Sequence, residues 1–429
     1  MTPRARDTIF ALSSGQPPAG IAVVRISGPE ARSTLTALCG TLPPPRQASL
    51  RGLRGADGEL LDRALVLWMP GPRTATGEDL GELHLHGGRA IVAAVLAALA
   101  TRPGLRMARA GEMTRRAFES GQIDLLQAEG LADLLAAETE AQRRLALRVS
   151  DGGLSRHVEG WRQAVLVLSA QLEAALDYAD EDDVDLESTA AIRDGARVLA
   201  ERIAAVLRSP PAERLRDGLR IVLAGRPNVG KSSLLNCLVG REVAIVTDIA
   251  GTTRDVIEAP AVLAGLPMIF TDTAGLRDGV CDEVEAIGIE RANRRIADAD
   301  IVLWLDEPAL APAGDYIIIV TPKADVTTAA GEGWRVSART GEGVEALRTE
   351  IVARARSLLP DPEGIAFNGR QRDLAQKAVS HLSAASREID VLLVAEELRL
   401  CRVVFDSLVG RAGVEDMLDA LFGRFCVGK

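Results

Sequence analysis

The spacing of apolar residues along this chain changes character three times. Up to about residue 118 they come in short runs suited to strands: Ile21-Ala-Val-Val-Arg-Ile26, Ala64-Leu-Val-Leu-Trp68 and Glu82-Leu-His-Leu-His86. Gly- and Pro-rich stretches at 15–20, 43–45 and 70–72 punctuate these runs, and one helix is predicted over Arg89–Thr101. From 119 to about 210 the period is helical. Val158, Trp161, Val165, Leu168, Leu172 and Leu176 recur at steps of three and four and form one stripe. An acidic run, Asp180-Glu-Asp-Asp183, reads as a solvated helix end, and a further helix is expected over 189–208. After Pro210-Pro211, residues 216–356 alternate strand-like runs with helices, as a parallel sheet requires. Helical spacing returns from about 368. The chain is therefore predicted to be multidomain. An N-terminal α+β domain (1–118) precedes an α-helical central domain (119–213 and 357–429), into which an α/β domain (214–356) is inserted.

Composition sharpens this picture in a few respects. At 429 residues, two or three cores are expected, and with 47% hydrophobic but 3% aromatic residues they should be built from Leu, Val and Ala. No apolar run approaches the roughly 20 residues of a membrane span, and Met1–Leu12 lacks an apolar signal core. We therefore expect a cytoplasmic protein with no membrane association. Cys39, Cys237, Cys281, Cys401 and Cys426 show neither metal-ligand spacing nor a disulfide pattern. The net charge of −10 excludes nucleic-acid binding by bulk electrostatics, so any RNA contact needs a local patch. Only four of the 50 basic residues are lysines: Lys231, Lys323, Lys377 and Lys429. Three of them fall in the motifs below.

Gly225-Arg-Pro-Asn-Val-Gly-Lys-Ser232 matches G-x-x-x-x-G-K-[ST]. The apolar run Leu219–Ala224 precedes it as a strand, and Ser233–Leu238 follows as a helix. Such a loop turns its N–H groups of Asn228, Val229, Gly230, Lys231, Ser232 and Ser233 around phosphate oxygens. Lys231 would reach the β- and γ-phosphates, and Ser232 would ligate Mg²⁺. Asp272-Thr273-Ala274-Gly275 follows a second apolar strand, placing an outer-shell Mg²⁺ contact beside the γ-phosphate. Between them, Thr247-Asp248-Ile249-Ala250-Gly251-Thr252-Thr253 suits a switch loop, with Thr253 joining Mg²⁺. Lys323-Ala-Asp325 offers a carboxylate for guanine's N–H groups, and Ser337-Ala338-Arg339 follows it. Five elements in this order specify GTP and GDP rather than adenine nucleotides. Two positions depart from the pattern. Leu276 is apolar where many GTPases orient water with glutamine, and Pro322 replaces the asparagine expected before Lys323. Pro322 donates nothing, so one base contact is lost or passes to Thr321. That loss costs about 1–3 kcal/mol and predicts weaker affinity with guanine preference kept.

The flanks carry further motifs: Gly20-Ile-Ala-Val-Val-Arg25-Ile-Ser-Gly28, Thr76-Gly-Glu-Asp-Leu-Gly-Glu82, His86-Gly-Gly88, Gly111-Glu-Met-Thr-Arg-Arg-Ala-Phe118 and the closing Phe425-Cys-Val-Gly-Lys429. Ala244–Asp255, Asp282–Glu285 and Ile287–Ala292 add to them. With these, the chain resembles the MnmE (TrmE) family of tRNA-modification GTPases nearly end to end. The resemblance implies a Ras-like P-loop GTPase domain inserted in a helical domain, and an N-terminal folate-binding and dimerisation domain. It implies a homodimer that forms a heterotetramer with an MnmG-type flavoprotein carrying FAD. Together they would convert carbon 5 of wobble uridine 34 in certain tRNAs to the carboxymethylaminomethyl form. The one-carbon unit would come from 5,10-methylene- or 5-formyl-tetrahydrofolate. Arg25, Glu82 and Lys429 match family folate contacts, whereas Gln122 stands where the family usually has lysine. The resemblance also implies potassium-activated hydrolysis, with K⁺ held by Asn228, Thr247, Ile249 and Thr252. Lys231, Thr253 and Glu285 would be catalytic, Glu285 orienting water indirectly. An extra residue between Asp272 and Glu285 makes Glu283 the alternative.

Other readings weigh less. A ribosome-assembly GTPase resembling Era or Der predicts a basic RNA-binding module, and these flanks are acidic. A scaffold with a degenerate GTPase is suggested by Pro322 alone and opposed by Lys231, Ser232, Thr253 and Asp272. Cys426 ends a poor prenylation box and is read as structural or folate-pocket. His84 and His86 point the same way along a strand but lack a third metal ligand, so satisfied polar positions are expected.

Overall fold

A computed structural model describes residues 7–177, 186–240, 258–272, 294–326, 333–361, 363–411, 415–423, 425 and 427–428. The chain divides into two compact units, Met1–Ala132 with Asp406–Lys429, and Asp133–Phe405.

The first unit contains β1 (Thr8–Leu12), β2 (Ile21–Ser27), α1 (Ala31–Cys39), β3 (Ser49–Arg54), β4 (Leu60–Met69), β5 (Leu80–His86), α2 (Arg89–Ala100), β6 (Leu105–Met107) and α3 (Glu112–Glu119). Its sheet has the order β3-β4-β5-β2-β1-β6, antiparallel except for the parallel pair β1–β6. Strand alternation sorts the side chains by face. Ala22, Val24, Ile26, Val66, Leu83 and Leu85 are buried in one core with Leu35 of α1 and Val95 and Leu99 of α2. Burying each large aliphatic side chain contributes about 1.5–3 kcal/mol. The opposite residues of the same strands, Ile21, Leu65 and Leu50 of β3, remain exposed. Arg25, Glu82 and His84 belong to that open face.

The segment 406–428 completes this unit. Leu418, Phe422 and Phe425 form a small core with Leu125 and Ala128 of α4 (Leu125–Ala136). The Phe118 and Phe422 rings lie 6.3 Å apart. Val427 bridges to Ala110, and the Ser13 hydroxyl donates to the Gly428 carbonyl at 2.7 Å. Gly428 has φ +103°, and a β-carbon there would overlap the Leu12 carbonyl, so no other residue fits.

In the second unit, α5 (Glu140–Ser150) starts with a capping box between Thr139 and Gln142. The long helices α6 (Gly153–Asp177) and α7 (Leu186–Leu207) follow. The stripe expected from sequence is realised, with Val158, Trp161, Val165 and Leu172 buried. The Trp161 ring meets Phe367 at 6.2 Å and Phe405 at 6.4 Å. The acidic run 180–183 lies outside the described residues. After the short α8 (Glu213–Arg216) comes a second sheet, built from β7 (Leu219–Ala224), β8 (Glu258–Leu263), β9 (Leu266–Asp272), β10 (Ile301–Trp304), β11 (Ile317–Thr321) and β12 (Trp334–Arg335). Its order is β12-β11-β10-β7-β9-β8, parallel except for β8–β9. This is the arrangement of a Ras-like α/β domain. Central β7 is buried at Leu219 and Ile221–Ala224, which accounts for its unbroken apolar run. Leu145 of α5 joins the core of this sheet, so helical and α/β parts share one hydrophobic cluster.

Among the described residues no helix is long and apolar enough to cross a membrane. Cys39, Cys237 and Cys401 are free thiols.

Candidate functional site

In an open parallel sheet, ligands bind beyond the carboxyl ends of the strands, and the sequence motifs gather there. β7 leads into the loop 225–230, and α9 (Lys231–Val239) starts at Lys231. Gly225 has φ +148°, and a β-carbon would come within 3.1 Å of the Leu305 backbone, so the turn demands glycine. Asn228 (φ +59°) and Gly230 (φ +116°) carry the loop through left-handed turns into the helix. Lys231 is buried, and its Nζ donates to the Gly225 and Arg226 carbonyls at 2.8 Å each. Ser232 Oγ donates to Asp272 Oδ2 at 2.5 Å. Asp272 sits at the end of β9, in register with Leu223 of β7, which brings residues 40 positions apart together. Val229 packs against the core below, and Ser233 lies in the first turn of α9.

The other half of the site follows β11 and β12. The Val336 N–H donates to the Thr321 carbonyl, and the Ala324 N–H to that of Val336, tying the two loops together. Lys323, at φ +57°, sends its Nζ to the Asn228 carbonyl at 3.0 Å. Ser337 Oγ donates to Asp325 Oδ1 at 2.7 Å, and Arg339 Nη1 lies 3.9 Å from Asp325 Oδ2. The Ser337 hydroxyl, and more weakly the Arg339 guanidinium, hold the Asp325 carboxyl below its ordinary range. Asn228, Lys231, Ser232, Asp272, Lys323, Asp325, Ser337, Ala338 and Arg339 thus share one end of one sheet.

A clasp on this loop was not expected from the sequence. Arg226 Nε reaches Asp306 Oδ1 and its Nη2 reaches Glu307 Oε1, both at 2.6 Å, while its own N–H donates to Asp306 Oδ2 at 3.1 Å. The partners stand 80 and 81 positions away, just past β10. Local spacing carries no signal for such a pair.

In the first unit, strand register places Arg25 opposite Glu82, and Arg25 Nε donates to Glu82 Oε1 at 2.8 Å. His84 Nε2 lies 3.2 Å from Glu82 Oε2. Burial works to raise the Glu82 carboxyl, but Arg25, and then His84, outweigh it and hold the group below its usual value. His86 Nδ1 pairs with Asp62 Oδ1 at 2.8 Å, so each histidine of this strand has a carboxylate partner. Gln122 lies beside the Gly77 turn and makes no hydrogen bond to the Arg25–Glu82 pair. Thr247, Asp248, Ile249, Ala250, Gly251, Thr252, Thr253, Thr273, Ala274, Gly275, Leu276, Glu283, Glu285, Cys426 and Lys429 lie outside the described residues.

Comparison with known proteins covers the whole chain. Residues 8–122 match the family model described as GTP-binding protein TrmE N-terminus, and residues 125–426 match that of the MnmE helical domain. A protein of Rhizorhabdus wittichii named tRNA modification GTPase MnmE is 58% identical over 432 aligned residues, spanning 99% of this chain and 97% of its own length. One of the same name from Erythrobacter litoralis is 54% identical, spanning 99% of this chain and 100% of its own. A P-loop at the carboxyl edge of the inserted sheet, two matching family models and relatives of this closeness lead to one assignment: the chain belongs to the MnmE family of tRNA modification GTPases.

Proposed function

We propose that this chain hydrolyses GTP and couples that cycle to tRNA modification in the cytoplasm. The observation that carries the reading is the convergence of Lys231, Ser232 and Asp272 at the mouth of a phosphate loop, within a chain that matches the family along its length. The N–H groups of Asn228, Val229, Gly230, Lys231, Ser232 and Ser233 receive phosphate oxygens at the positive end of α9. The Lys231 ammonium exchanges its two carbonyl partners for the β- and γ-phosphates. Ser232 and Thr253 would hold Mg²⁺, which supplies charge neutralisation. The contact of the Ser232 hydroxyl with the Asp272 carboxylate provides the oxygen donors so hard a cation needs. Asp325 accepts the N–H groups of guanine while Ser337 fixes its carboxylate, and Ala338 and Arg339 flank the base. Thr247–Thr253 and Thr273–Gly275 form the switch elements, and Glu285 orients the attacking water. Asn228, with Thr247, Ile249 and Thr252, would hold K⁺, a charge placed where an arginine finger stands in other GTPases.

With an MnmG-type, FAD-bearing partner in a heterotetramer, the target is carbon 5 of uridine 34 in certain tRNAs, converted to the carboxymethylaminomethyl form. A tetrahydrofolate derivative supplies the carbon and would be held by Arg25, Glu82, Gln122 and Lys429. The paired guanidinium and carboxylate on an open sheet face suit a ligand with an acidic tail and a hydrogen-bonding ring edge. Exposed Ile21, Leu50 and Leu65 on that face support pairing of two copies. Nucleoside analysis of tRNA from a strain lacking the gene tests the cellular role: unchanged wobble uridines would reject it. GTP hydrolysis in KCl against NaCl at equal ionic strength tests the mechanism. Potassium stimulation that disappears in Asn228→Ala is expected, and equal rates in both salts would remove the cation from the scheme.

A further inference from the structure

We infer that this chain reads guanine through its hydrogen-bond donor edge and leaves purine N7 without a side-chain partner. The inference rests on the GTP reading above and concerns Pro322. Guanine presents donors at N1 and the 2-amino group, and acceptors at O6 and N7. The donors are served by Asp325, held in place by the Ser337 hydroxyl at 2.7 Å. O6 can be met by the N–H groups of Ala338 and Arg339, which take no backbone partner among the described residues. N7 then needs a donor from the start of the base loop, where the motif carries an asparagine amide. Position 322 is proline, with neither an N–H nor a side-chain donor. Its neighbour Thr321 ends β11, where its carbonyl accepts the Val336 N–H and fixes where the loop leaves the strand.

Pro322 Cβ lies 3.9 Å from where a β-carbon on Gly230 would sit, so the ring stands next to the last turn of the phosphate loop. Beside it, Lys323 Nζ donates to the Asn228 carbonyl at 3.0 Å. A residue of fixed φ followed by Lys323 at φ +57° presets this turn before nucleotide arrives. Position 322 therefore sets the backbone from which Lys323 ties the two loops together. It offers the base no side-chain donor.

Competition titrations against a fluorescent GDP analogue on the full-length protein test this, using GTP, 7-deaza-GTP and ITP. Wild type should bind GTP and 7-deaza-GTP within about twofold, while ITP, lacking the 2-amino donor, should bind roughly tenfold or more weakly. Pro322→Asn should create a preference for GTP over 7-deaza-GTP of roughly tenfold. Pro322→Ala, which restores the N–H but adds no side-chain donor, should keep the two within about twofold while weakening both. A tenfold preference of the wild type for GTP over 7-deaza-GTP would overturn the inference and leave the GTP reading standing. Failure to bind any guanine nucleotide, or equal competition by ATP, would remove that reading and the inference with it.

Discussion

Replacing Gly428 by alanine should detach the last residues of the chain from the unit they complete. At φ +103° an L-residue with a side chain pays about 1–3 kcal/mol, and here the new β-carbon also overlaps the Leu12 carbonyl. Relieving that overlap moves the segment and sacrifices the Ser13–Gly428 hydrogen bond, worth about 0.5–1.5 kcal/mol. The total is about 1.5–4.5 kcal/mol, or roughly a 13- to 2000-fold shift between docked and undocked tail. If the tail contributes to a folate site, the Kd for 5-formyl-tetrahydrofolate should rise by at least about 13-fold. Carboxypeptidase should also trim the tail faster. GTP binding should be unaffected, since the phosphate loop belongs to the other compact unit. Ser13→Ala, which removes the hydrogen bond alone, should weaken folate binding by roughly 2- to 13-fold. Unchanged folate affinity in Gly428→Ala, together with wild-type resistance to carboxypeptidase, would refute the reasoning.

Three further outcomes are expected. Lys231→Ala, which removes the buried ammonium of the phosphate loop, should lower kcat for GTP hydrolysis by at least about 100-fold in a phosphate-release assay. Arg226→Ala opens a clasp whose guanidinium is 60% exposed; such pairs are worth under about 1 kcal/mol, so KM for GTP should change by less than about fivefold. Glu112 is more consequential. Burial would raise its carboxyl, but Arg106 (2.5 and 2.8 Å), the Arg109 N–H and Arg116 bring it to about 2 from 4.5. A folded-state value below the unfolded one stabilises above about pH 4.5, and the contribution is lost as pH falls toward 2. Glu112→Gln should thus cost about 3 kcal/mol at pH 7 and progressively less below pH 4.5. Urea unfolding of variant and wild type across that range measures the difference, and a pH-independent gap would exclude the ionic origin.

What could be read in advance was what the chain encodes locally. Gly225–Ser232 announces itself because turn glycines, the lysine and the flanking strand and helix are all within a few residues. The run Glu82–His86 alternates cleanly because one face is covered by helices and the other is open. β1, Thr-Ile-Phe-Ala-Leu, is buried at four of its five positions and shows no alternation to betray it. β3, with Gly52 and two arginines, is an edge strand whose residues are mostly half-buried or exposed. Its place is set by pairing with β4 rather than by its own propensity. The parallel pairing of β1 with β6, the docking of Phe422 and Gly428, and the Arg226–Asp306 clasp depend on register across tens to hundreds of residues. Each is fixed by tertiary packing that no short window contains.

The bond between Ser13 and Gly428 spans 415 positions, and the ion pair between Arg115 and Asp419 spans 304. On a ribosome adding roughly 5–20 residues per second, the strand end at Ser13 waits about 20–80 s for its partner. During that interval the nucleotide-binding unit is synthesised and free to fold, while the first unit, its six strands already made, still lacks the segment 406–428 that completes it. The unit that carries the phosphate loop is therefore free to fold before the first unit has all of its chain.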